Sequence, residues 1–181
     1  GNLTAAEYAK HMGAPITRLF PASNANEVVP DFFRTGSFTP RPSLQTFSNA
    51  MDVGNPSNFA RLRALYGYDV DAMKSDIAST SISDEETLVE MRRTYEQSGY
   101  ILDPHTAVGV AATRKLKPAH SSSRPTIVVA TAHPAKFPEV VSKALHVTIP
   151  LPKQLSAALQ HKKLSIRIPA DYHQVKRLLL S

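Results

Sequence analysis

The sequence predicts an α/β fold with a mostly parallel sheet, and three observations predict it. Helical stretches with start and stop signals recur along the 181 residues. Short apolar, β-branched runs stand between them. Thr126 to Ala130, TIVVA, is the clearest, and an unbroken run of that length marks a strand covered on both faces. At the start of the chain a helix, a turn and a strand candidate follow in order, the second half of a βαβ unit.

Taken in order, Leu3 to Met12 reads as a helix with Leu3, Ala6 and Ala9 on one face. Gly13 suits the left-handed residue after a helix end, and Pro15 prevents continuation. Ile16 to Phe20 is the strand candidate. Ser23-Asn24-Ala25-Asn26 reads as a loop that caps a short helix through Phe33. Thr35 to Leu44, rich in Gly, Ser, Thr and Pro, is a loop, and MDVGNPSN from Met51 to Asn58 is turn chemistry. Phe59 to Tyr66 is a short helix. Ser83 to Ser98 is the best-marked one: Ser83 and Glu86 have capping-box spacing, Leu88, Met91 and Tyr95 form the apolar stripe, and Gly99 stops it. Asp103-Pro104 opens another helix, an Asp N-cap followed by Pro at the first helical position, running to about Leu116. Its Ala and Val content predicts burial. Pro118 to Pro125 is expected as a surface loop, His133 to Phe137 as a turn and Pro138 to Leu145 as a helix. A Pro-bounded linker from Ile149 to Pro152 precedes a closing helix from Ala170.

Composition narrows the function. Hydrophobic residues make up 42% and charged residues 20%, the balance of a folded chain rather than a disordered one. No apolar run approaches the ~20 residues of a membrane span. With no Cys, disulfides and thiolate metal sites are excluded, and a reducing compartment, the cytoplasm, is expected. The net charge of +6 fits either simple solubility or attraction to an anion. The basic residues are scattered (Lys115 and Lys117, Lys162 and Lys163, Lys176 and Arg177), without a basic block interleaved with aromatics. That argues against a nucleic-acid surface.

Four constellations carry chemistry. Gly1-Asn2 stands directly before a helix, where a backbone without Cβ and free amides accept an anion; an ordinary N-cap accounts for the same pair. Thr131 follows the TIVVA run, at the place where open α/β sheets bind ligands, and its hydroxyl either meets a ligand nitrogen or caps the next turn. Asp103, His105 and Thr106 share the first turn of an apolar helix, where polar groups converge, by capping or by facing the same sheet edge. Asn49, Asp52, Asn55 and Asn58 make SNAMDVGNPSN a dense polar loop, solvated or ordered around a ligand or a neighbouring segment. Lys136 lacks any sign of the desolvation a nucleophilic lysine needs. His105 and His133 lack metal-ligand spacing, and loop-ordering hydrogen bonds are expected of both.

In GNLTA, SNAMDVGNPSN, DPHTAVG, TAHPAKF and the closing LP and IPAD segments, taken in that order, the chain resembles the C-terminal part of the threonine synthase family. These are pyridoxal-phosphate enzymes of the tryptophan-synthase-β-like fold, fold type II, a three-layer architecture. The resemblance implies conversion of O-phospho-L-homoserine and water to L-threonine and phosphate. It implies that Gly1 and Asn2 match the end of the loop cradling the cofactor phosphate, and Thr131 the residue that hydrogen-bonds the pyridine nitrogen. Asp103, His105 and Thr106 are weaker candidates, placed near the ring by inference. The Schiff-base lysine is expected upstream, so no catalytic residue and no metal ligand is expected here. A fragment is then expected to be inactive alone and to need the missing N-terminal part as partner, with no membrane or nucleic acid. Residues 1–148 are expected to belong to the large cofactor domain, and 149–181 to be an extension packing back on it. A related phospho-lyase releasing 2-oxobutyrate, or a non-catalytic basic binding module, remains as an alternative.

Overall fold

A computed structural model describes residues 1–116 and 125–181. The chain divides into two units, Gly1–Ile149 and Pro150–Ser181. The larger one carries α1 (Asn2–His11), β1 (Ala22–Ser23), α2 (Val28–Thr35), α3 (Phe59–Leu65), α4 (Val70–Asp76), β2 (Thr80–Ser81), α5 (Asp84–Ser98), α6 (Pro104–Leu116) and α7 (Pro138–Leu145), with 3-10 turns at Asn49–Met51 and Pro134–Lys136. The smaller carries α8 (Lys153–Gln160) and α9 (Tyr172–Leu180). Asp171 caps α9 by accepting from the Gln174 amide at 2.9 Å.

The helices form where local signals place them. α1 ends before Gly13, whose φ of +96° lies in the left-handed region. α5 has the expected capping box: Ser83 Oγ accepts from the Glu86 amide, and the Glu86 carboxylate accepts from the Ser83 amide. Gly99 closes it at φ +69°. Asp103 accepts from the amides of His105 and Thr106 at the head of α6. Two helices lack so strong a mark. α4 starts at Asp69, which accepts from Asp71 and Ala72; α8 follows Pro152 without a side-chain cap. Neither is anticipated by the sequence reading.

The sheet is parallel but small. Ala22 pairs with Thr80 and Ser23 with Ser81, preceded by an isolated parallel bridge between Leu19 and Ile77. The strand therefore falls later than Ile16–Phe20. Pro21 has no N–H to donate, so the ladder breaks there and resumes at Ala22. The expectation of a covered strand at Thr126–Ala130 is corrected. This run has no ladder partner among the described residues, and Ile127 and Val129 are 87% and 63% exposed. A β-branched run becomes a strand only when another strand lies beside it. The loop expected at 118–125 lies, apart from Pro125, outside the described residues.

Three cores hold the larger unit. Phe32, Phe33 and Phe59 meet edge to face around Leu62, Met73 and Ile77, joining α2, α3 and α4. Met91, Leu102, Ala107, Val141, Ala144 and Leu145 fill the space between α5, α6 and α7. Ile82, Val108 and Ala112 seal α6 against the strands. The helix at 104–116 is buried along this face, as its Ala and Val content implies. Arg114 reinforces the α5–α6 contact through Glu90 at 2.9 Å.

Candidate functional site

α1 begins with Gly1 as N-cap and Asn2 as first helical residue, without a side-chain cap or an acidic residue in its first turn. Its leading amides thus keep the positive end of the helix uncompensated. A Cβ on Gly1 would meet nothing within 4 Å, so the approach is open. Beside it lies a concavity of about 120 Å³, lined among others by Gly1, Thr4, Ser23, Pro56, Asn58 and Leu62.

Thr131 stands on extended chain rather than at the end of a paired strand. It lines a second, wider concavity of about 420 Å³ with Tyr100, Ile101 and the segment Ala130–Pro134. Among the described residues its hydroxyl makes no hydrogen bond. His133 orders the following turn, its Nδ1 accepting from the Ala135 amide at 3.1 Å.

Asp103, His105 and Thr106 are brought together. The Asp103 carboxylate accepts from the Thr106 hydroxyl and faces His105 Nδ1 at 3.0 Å. His105 Nε2 accepts from the Ala50 amide at 3.1 Å, which assigns the ring proton to Nδ1. Phe137 lies against the imidazole at 4.9 Å. These three residues therefore hold a loop, and none of them lines either concavity. Gly1 and Thr131 line separate concavities with no lining residue in common.

The dense polar loop is ordered around a neighbouring segment. Asp52 accepts from the Thr46 amide at 3.0 Å and from the Asn24 side-chain amide at 2.8 Å. Asn26 donates to the Leu44 carbonyl and receives the Leu44 amide. Asn24 and Asn26 are buried. They turn inward instead of capping α2, whose N-cap is Glu27 without a side-chain bond. Their pairing with Asp52 is invisible in sequence because it spans 28 and 26 residues.

Glu7 is another polar group that sequence reading passes over. It is fully buried in α1; Tyr66 donates to its Oε1, while Oε2 has no partner among the described residues. Tyr66 also approaches Asp76, which pairs with Lys10 at 2.7 Å. Burial pushes the Glu7 carboxyl up, with Asp76 adding to the rise and Lys10 and His11 opposing it. Its signal was an acid on the apolar face of a helix.

Comparison with known proteins first gives the class. The crystal structure of threonine synthase from Escherichia coli superposes with a TM-score of 0.86 at 35% identity, over 99% of this chain and 41% of that one. PLP-bound threonine synthase from Brucella melitensis gives 0.85 at 30% identity, over 98% and 43%. The chain thus has the α/β fold of these enzymes. Sequence comparison points the same way. Residues 106–179 match the family model for threonine synthase, C-terminal. Threonine synthase of Haemophilus influenzae is 37% identical over 99% of this chain and 41% of its own length. The chain is similar to these threonine synthases along nearly its whole length, and it spans about two-fifths of the length of the relatives it matches.

Proposed function

We propose that this chain forms the C-terminal portion of a pyridoxal-phosphate-dependent threonine synthase acting in the cytoplasm, within a three-layer fold of the tryptophan-synthase-β type. The observation that carries this reading is the match to threonine synthases along 99% of the chain in both sequence and structure. The reaction would take O-phospho-L-homoserine and water to L-threonine and phosphate, with phosphate leaving Cγ and water adding at Cβ. When bound, the cofactor supplies an electron sink that lets protons leave Cα and Cβ.

Two places on this chain offer groups of the kind such a cofactor would need. Uncapped amides at Gly1 and Asn2 would hold its phosphate. The hydroxyl of Thr131, unspent within the described chain, would meet the ring nitrogen. A neutral hydroxyl there leaves that nitrogen less readily protonated than a carboxylate would. In this reading residues 1–148 belong to the cofactor domain and 149–181 form a C-terminal extension. The Schiff-base lysine, in this reading, would come from a part of the protein outside this chain.

The protein carrying this chain, given pyridoxal phosphate and O-phosphohomoserine, is expected to release phosphate and threonine in equal amounts. Release of 2-oxobutyrate instead of threonine selects the phospho-lyase, and no phosphate release refutes both. The 181-residue chain alone is expected to be inactive, and a borohydride-trapped adduct on Lys136 would contradict this.

A further inference from the structure

The imidazole of His105 is fixed on three sides, by Asp103 at Nδ1, the Ala50 amide at Nε2 and the Phe137 ring. The His105 and Asp103 side chains are only 8% and 1% exposed. Ala50 sits in the 3-10 turn Asn49–Met51, 55 residues away in sequence. The same loop is tied at Phe47, whose amide donates to Asp84 Oδ1 at 3.0 Å, at Asp52, which accepts from Thr46 and Asn24, and at Gly54, whose amide donates to Ser43 Oγ at 3.0 Å and whose carbonyl accepts from the Arg41 amide. Beyond these ties the chain delivers Pro56 and Asn58 to the wall of the concavity at Gly1. Of the ties, the one at Ala50 comes from the turn where Asp103 caps α6.

We propose that His105, oriented by Asp103, is a positioning residue for the concavity at Gly1: it pins at Ala50 the loop that brings Pro56 and Asn58 to that wall. The inference rests on the functional reading above for what the concavity takes, the phosphate group of the cofactor. A histidine suits the task because one ring nitrogen accepts while the other is locked as donor by a buried carboxylate. A loop set this way presents its wall before the ligand arrives, so ordering it costs nothing at binding.

The test uses the protein carrying this chain, as wild type, His105→Ala and His105→Gln; the glutamine carbonyl replaces Nε2 as acceptor. In His105→Ala, amide hydrogen exchange at Ala50 and through Asn58 is expected to speed about tenfold or more, on the scale of one lost hydrogen bond. The exchange in α5 and α7 should stay near wild type. Affinity for pyridoxal phosphate, by equilibrium dialysis, should weaken about tenfold, that for unphosphorylated pyridoxal should not, and His105→Gln should recover most of the loss. Unchanged exchange at Ala50, or equal loss for pyridoxal and its phosphate, overturns the proposal. A wild-type protein that retains no pyridoxal phosphate defeats the functional reading, and the clamp is then judged on exchange at Ala50 alone.

Discussion

Two single residues make the sharpest tests of the fold. A Cβ on Gly54 would collide with the carbonyl of Arg41, whose own amide donates to the Gly54 carbonyl at 3.0 Å. No rotamer relieves a backbone collision, so one strand of the loop must move. Gly54→Ala is expected to cost about 3 kcal/mol, the upper range of overpacking, and chemical denaturation measures it. Glu7 makes the second test. Its folded carboxyl titrates above the unfolded value because it is buried. The native state thus holds that proton more tightly. Stability from this source is complete in acid, and it is lost as pH rises from the unfolded value through the folded one. Thermal melts of wild type and Glu7→Gln are expected to agree in acid and diverge above it, with the variant the more stable. A constant offset at every pH would show that Glu7 does not titrate in that window.

At the scale of elements, local signals were legible and distant ones were not. α5 was readable because its capping box spans three residues. Ser83→Ala is expected to cost about 1 kcal/mol, seen as a shift in the denaturation midpoint. The amide of Ser83 holds Glu86 below the usual carboxylate range, with Lys115 assisting against the cost of burial. That support is therefore present above the unfolded value and is lost as pH falls through the folded one. Gly13, Gly99 and Asp103-Pro104 were readable for the same reason. Strands were not, because each needs a partner far along the chain. Leu19 meets Ile77, and nothing near Leu19 in sequence announces it. TIVVA carried the strongest strand pattern of all and has no ladder partner among the described residues. The site followed the same division. The capping role of Asp103 could be read within one turn, whereas the grip of His105 on Ala50 could not.

At the scale of the larger unit, Gly1–Ile149, polar ties matter alongside the three cores. Asp52 gathers Thr46, Asn24 and Asn26 into a network that closes the segment after β1 against the loop. Asp52→Ala would take the acceptor of the Thr46 amide and one acceptor from each of the buried Asn24 and Asn26 side-chain amides. Its expected cost is about 3 kcal/mol, more than one exposed ion pair contributes, and Asp52→Asn should recover part of it in the same melt.

TIVVA also has a consequence for handling the molecule. An uncharged stretch rich in β-branched residues, with Ile127 and Val129 turned to water, is a template on which further copies assemble. Light scattering from the purified 181-residue chain is expected to climb steeply with concentration. Val129→Lys would place a gatekeeper charge in the stretch and flatten that climb, whereas a curve unmoved by the charge would locate the stickiness elsewhere.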